Sequence, residues 1–137
     1  MVRQILLVED NLSNRELFVE ILRLNKAYEL HVAENGIQAL EMLETFSPDL
    51  ILMDIHMPEM DGLAVTRTIK STPELASIPI VALSALAMKS DIQSALEAGC
   101  VDYITKPIRI RDFLEKVAQY STAREVQSPG YKEPTGL

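Results

Sequence analysis

Five short apolar runs punctuate the chain, at residues 5–8, 30–33, 50–53, 80–83 and 101–105. Most are continuous rather than alternating, the pattern of strands buried on both faces. Between them apolar residues recur at helical spacing. Leu17, Ile21 and Leu24 form one stripe, Ala39, Leu40 and Leu43 a second, and Ile92, Ala95 and Leu96 a third. The last stripe is the fullest, with Ile110, Phe113, Leu114 and Val117 at i, i+3, i+4, i+7. Local punctuation agrees with this division. Ser13 with Glu16 is a capping-box pattern, Asn35-Gly36 a turn signal and Gly99 a helix stop. Pro73 is expected to end the third helix, and Pro79 to open the fourth strand, where a missing N–H is tolerated.

Strict strand–helix alternation predicts a doubly wound α/β domain: a parallel sheet, right-handed crossovers and helices on both faces. Residues 1–120 make up this domain. Residues 121–137 carry two of the seven prolines and no apolar stripe, so a flexible tail is expected there. In open α/β sheets ligands bind beyond the carboxyl ends of the strands.

That rule directs attention to four polar groups. Glu9-Asp10 closes the first run, Asp54 the third, Ser84 the fourth and Lys106 the fifth. Two strand-end carboxylates, Asp10 and Asp54, supply hard oxygen ligands suited to Mg²⁺, with Glu9 joining through water. A carboxylate is also a nucleophile toward phosphorus, forming an aspartyl phosphate. Lys106 offers a point charge and Ser84 a hydroxyl for the phosphoryl oxygens. Taken singly, each is more often a cap or a solvated surface group. Four together on one sheet edge point to a metal-and-phosphate site. Asp61, before Gly62 and a helix, reads as an N-cap. His56 is expected to be exposed beside the site, and Asp102 to face solvent rather than metal. Met42, Met53, Met57, Met60 and Met88 read as packing.

Composition narrows the partners. The 137 residues carry a net charge of −7, which disfavours nucleic acid and anionic lipid surfaces. Cys100, the one cysteine, has no internal disulfide partner. No apolar stretch approaches the roughly 18 residues of a membrane span, and the first run starts too near Met1 for a signal peptide. The expectation is a soluble protein of the cytosol.

At these residues the sequence resembles the receiver domain of two-component response regulators. The resemblance covers about residues 3–120. It rests on Leu7-Val8-Glu9-Asp10 with Asn11; Asp54 followed by Met57-Pro58-Glu59-Met60-Asp61-Gly62; Leu83-Ser84-Ala85; and Tyr103-Ile104-Thr105-Lys106-Pro107. It implies a flavodoxin-like five-stranded sheet of order 2-1-3-4-5 with five helices. It implies that Asp54 accepts a phosphoryl group from a histidine kinase or histidine phosphotransfer protein. Glu9, Asp10, Asp54 and the backbone carbonyl of His56 would hold Mg²⁺. Lys106 and Ser84 would grip the phosphoryl group, Tyr103 would be the aromatic coupled to Ser84, and the Lys106-Pro107 bond would be cis. Departures are mild: Ser84 stands where threonine is also common, and His56 and Leu86 occupy variable flanking positions.

The expected role is a stand-alone, single-domain signalling protein rather than an enzyme. Its output, to an unidentified protein or a second copy of the chain, would pass through residues 88–98, 101–105 and 110–119. Two alternatives stand beside this reading. One is a receiver cut from a hybrid histidine kinase. The other is a haloacid-dehalogenase-type phosphatase, in which a second aspartate follows two residues after the nucleophile; His56 stands there instead.

Overall fold

A computed structural model describes residues 2–57, 61–85 and 89–122. The order of elements is β1 (Arg3–Val8), α1 (Leu12–Arg23), β2 (Tyr28–Ala33), α2 (Gly36–Met42), β3 (Leu50–Asp54), α3 (Gly62–Lys70), β4 (Ile80–Ser84), α4 (Lys89–Ala98), β5 (Asp102–Thr105) and α5 (Ile110–Ser121). The five strands pair in parallel in the order β2-β1-β3-β4-β5, as the resemblance implies. Pleating sends alternate side chains of each central strand to opposite faces. Leu6, Val8, Ile51, Met53, Ile80 and Ala82 pack on one face with Ala39, Val65, Ile69 and Ala95 from α2, α3 and α4. Ile5, Leu7, Leu50, Leu52, Val81 and Leu83 pack on the other with Phe18, Leu22, Phe113 and Val117 from α1 and α5. The Phe18 and Phe113 rings stack at 5.3 Å, tying those two helices together.

Several local readings change. The capping box at Ser13 is not formed. Asn11 caps α1, its side chain accepting from the N–H of Asn14 at 2.9 Å, so Ser13 lies inside the first turn. The helix thus begins directly after the acidic pair, which is trapped in the strand-to-helix turn. The buried stripe of α1 is Phe18, Ile21 and Leu22; Leu17 and Leu24 are 45% and 82% exposed. In α4 the buried residues are Ala95 and Ala98, and Leu96 is exposed, as is Ile110 at the start of α5. Asn35 is a helix cap as well as a turn residue, accepting from Gln38 N–H. α3 ends at Lys70, with Pro73 beyond it, and Pro79 directly precedes β4. Gly99 stops α4 at φ +118°, a conformation only glycine adopts cheaply. Met53 and Met57 are core residues of the cluster shared with α2, α3 and α4, and Met42 packs against that cluster. Met60, Met88, Leu86 and the tail beyond residue 122 lie outside the described residues.

Candidate functional site

All four groups singled out by their strand-end positions lie along the carboxyl edge of the sheet. β1 ends at Val8, so Glu9 and Asp10 follow immediately, held where Arg15 of α1 donates to both their backbone carbonyls at 3.3 and 3.4 Å. Asp54 is the last residue of β3, the neighbour of β1 in the sheet. One carboxylate oxygen from each of Glu9, Asp10 and Asp54 falls within 4.8 Å of the others. Glu9 has no exposed surface and Asp54 almost none, while Asp10 is half-buried. Converging carboxylates on this scale resist full ionisation.

Two devices offset that repulsion. The ammonium of Lys106 donates to Oε1 of Glu9 at 2.8 Å and lies 3.5 Å from Oδ2 of Asp54. The backbone N–H of His56 donates to Oδ1 of Asp54 at 3.0 Å. They do not fully compensate. Burial, then a hydrogen bond shared with Glu9 and its charge, push the Asp54 carboxyl up to about 7, against the lowering from His56 N–H and Lys106. A group that is costly to ionise here becomes favourable once a divalent cation is present.

Ser84 ends β4, buried, with its carbonyl accepting from Lys106 N–H at 2.7 Å. Its hydroxyl lies 3.4 Å from Nε2 of His56. The imidazole is thus exposed beside the site but in contact with it. The Lys106-Pro107 peptide is cis. Asp61 caps α3, accepting from Ala64 N–H at 2.9 Å. Gly62 is required by closeness: a Cβ there would collide with the carbonyl oxygen of Asp54 and lie 2.7 Å from Ile55 Cα. The α3 N-terminus is therefore pressed against the end of β3.

Tyr103 and Asp102 sit farther back on β5. Asp102 does not simply face solvent. It accepts from Lys116 at 3.1 Å, from Tyr120 hydroxyl at 2.8 Å and from Tyr103 N–H at 2.7 Å. Burial raises its carboxyl, but these donors outweigh it and hold it below the ordinary value. Lys116 also donates to the Tyr103 carbonyl at 2.8 Å and lies 5.2 Å from the centre of its ring. Sequence reasoning missed Lys116 and Arg15. The i+4 spacing from Asp112 to Lys116 to Tyr120 on one face of α5 was the available signal for Lys116; nothing local marked Arg15.

The donor set fits Mg²⁺. Three carboxylates converge from two adjacent strand ends, a set of hard oxygen donors of the kind this ion takes. Among the described residues no helix is long and apolar enough to cross a membrane.

The response regulator receiver domain family matches residues 5–118. The polar-differentiation response regulator DivK of Brucella anthropi is 41% identical over 120 residues, covering 88% of this chain and 97% of that protein. Among solved structures, the receiver domain of sensor histidine kinase PA1611 from Pseudomonas aeruginosa is 33% identical, with a TM-score of 0.82 over 90% of this chain and 100% of that one. It was solved with a magnesium ion coordinated in its active-site cleft. The receiver domain of a histidine kinase from Syntrophus aciditrophicus is 32% identical, with a TM-score of 0.85 over 97% of this chain and 99% of that one. The chain belongs to the response regulator receiver family.

Proposed function

We propose that this chain is a stand-alone response regulator that takes a phosphoryl group on Asp54 and signals through protein contacts. The observation that carries the reading is the convergence of Glu9, Asp10 and Asp54, with Lys106 from the end of β5 paired to Glu9 and Asp54. An Asp54 carboxylate oxygen attacks phosphorus of a phosphohistidine on a kinase or phosphotransfer protein. The new P–O bond forms as the P–N bond breaks, and the imidazole leaves with the electron pair. Glu9, Asp10, Asp54 and the His56 carbonyl would hold Mg²⁺, which when bound neutralises charge on the phosphoryl oxygens. Lys106 and the Ser84 hydroxyl donate to those oxygens. His56 N–H, already directed at Oδ1 of Asp54, orients the nucleophile.

The stand-alone reading is supported by the Brucella relative, 97% of whose length is matched. A phosphatase of the haloacid-dehalogenase type would need an aspartate where His56 stands. Phosphorylation then draws Ser84 toward the phosphoryl group, and Tyr103 turns into the space released. The responding surface is α4, β5 and α5, where a target protein or a second copy docks.

Incubation with phosphoramidate and Mg²⁺ tests the reading. One acid-stable, base-labile phosphoryl group per chain is the expected result. Continuous release of phosphate far beyond one equivalent per chain would mark a hydrolase instead, and no adduct would mark a receiver fold that takes no phosphate.

A further inference from the structure

β5 is the edge strand of the sheet among the described residues. An open edge presents unpaired N–H and C=O groups. At Tyr103 both are taken by side chains. The N–H donates to Oδ1 of Asp102 at 2.7 Å, and the carbonyl accepts from Lys116 at 2.8 Å. Lys116 springs from α5, which packs with Ile104 on one face of the sheet, whereas Tyr103 packs with the cluster on the opposite face. The lysine therefore wraps round the edge of β5 to bring its ammonium 5.2 Å from the centre of the Tyr103 ring. Its charge is anchored by Asp102 at 3.1 Å, and Asp102 is itself fixed by the hydroxyl of Tyr120 one turn farther along α5. Tyr103 is thus held by its N–H, its C=O and its ring, all through one network. Lys116 and Tyr103 also line the same surface cavity, of about 450 Å³, beside the half-exposed ring.

The geometry points to Lys116 as a positioning residue for Tyr103, retaining the ring in its outward orientation and setting how hard phosphorylation must pull to turn it. The inference rests on the proposed coupling between Ser84 and Tyr103. An equilibrium is shifted only by contacts that differ between its two states. The backbone bonds from Lys116 and Asp102 to Tyr103 survive a ring rotation, because they do not involve the ring. The ammonium–ring contact does not survive it. That contact opposes the turn toward Ser84, and its loss should raise the inward-to-outward ratio about two- to five-fold. The same network occupies the edge groups of Tyr103, so the sheet is closed there to strand addition by a partner.

The test uses the full chain labelled with 3-fluorotyrosine and read by ¹⁹F NMR, with and without phosphoramidate and Mg²⁺. Tyr103→Phe assigns the Tyr103 signal by its disappearance, and Tyr28, buried in the other core cluster, reports that each variant is folded. In Lys116→Met the unphosphorylated Tyr103 signal should move part of the way to its phosphorylated position, while the phosphorylated position stays fixed. Lys116→Arg, which keeps a cation able to lie on an aromatic face, should return it toward wild type. Asp102→Asn, which frees the lysine without removing it, should move it in the same direction as Lys116→Met by a smaller amount. A Tyr103 signal that stays put in folded Lys116→Met, or equal displacement in the Met and Arg variants, overturns the inference. A Tyr103 signal unmoved in wild-type protein that mass spectrometry shows to be phosphorylated overturns the Ser84–Tyr103 coupling beneath it, and the role of Lys116 with it.

Discussion

The ammonium of Lys106 sits 2.8 Å from Oε1 of Glu9, a carboxylate with no exposed surface, and 3.5 Å from Asp54. In the absence of a cation Lys106 is therefore the counter-ion of Glu9 first and of Asp54 second. Removing one member of a buried, hydrogen-bonded charge pair leaves the other uncompensated. Lys106→Met, which keeps most of the side-chain length, should lower unfolding free energy by about 1–3 kcal/mol in metal-free buffer, because the buried Glu9 loses its donor. The deficit should shrink when millimolar Mg²⁺ is added. Urea unfolding with and without the metal checks both statements; a deficit that is the same in both buffers would show that Glu9 does not face the metal.

Mg²⁺ should stabilise the fold by mass action, by about 2.7 kcal/mol when its concentration is a hundred times Kd. Asp10→Asn replaces one of the three converging carboxylates with an uncharged amide, which relieves part of their repulsion and leaves a weaker ligand. It should raise the Tm in chelator and abolish most of the rise on adding Mg²⁺. Thermal unfolding across a magnesium titration reads both effects. A full wild-type response in Asp10→Asn would remove that residue from the metal site.

Gly62→Ala should cost about 1–3 kcal/mol or more, the range of overpacking, because the clash is with the backbone of Asp54 and Ile55 and not with a side chain that can swing away. The same clash displaces the end of β3, so phosphate uptake at Asp54 should fall along with stability. Denaturation and phosphoramidate labelling of the same sample test the pair of effects. Unchanged stability would mean that α3 can retreat freely from the site.

Asp102 gives a pH dependence with a defined sign. Its donors (Lys116, Tyr120 hydroxyl and Tyr103 N–H) outweigh burial, so its folded-state pKa lies below the ordinary 3.8. Such a group contributes stability that is fully present above the unfolded value and is lost as pH falls through the folded one. Asp102→Asn should therefore be less stable than wild type by about 0.5–1.5 kcal/mol near neutrality, with the gap closing below about pH 4. Chemical denaturation from neutral to acidic pH measures the gap; one that widens in acid would contradict the network.

Much of this architecture could be read from the chain because its signals are local. Continuous apolar runs such as residues 50–53 have one good home, a strand covered on both faces, and acidic or basic residues closing those runs fall on the ligand-binding edge. The phase of α1 was harder, because Leu17-Phe18 and Ile21-Leu22 are apolar doublets that fit two helical faces; packing of Phe18 on Phe113 chose between them. Ser13 with Glu16 fits a capping box, yet Asn11, two residues earlier, is the residue that caps the helix. Pairings across the fold carried no local signal. Lys106 and Glu9 are 97 residues apart, and nothing near either marks the lysine as nearer to Glu9 than to Asp54. Lys116 is one more charge on an amphipathic helix in the sequence, and only the edge of β5 beside it gives that charge a partner.

Asp54 as the single phosphoryl acceptor is the claim on which the functional account turns. Wild type and Asp54→Asn, treated side by side with phosphoramidate and Mg²⁺ and read by intact-protein mass spectrometry, test it most directly. The substitution removes the nucleophilic oxygen and a buried charge while keeping the side chain's shape, so the variant should fold and be at least as stable as wild type in chelator. The account predicts one phosphoryl group on the wild-type chain, none on Asp54→Asn, and none on wild type when chelator replaces the metal. A folded Asp54→Asn chain that carries phosphate to the wild-type extent would contradict it.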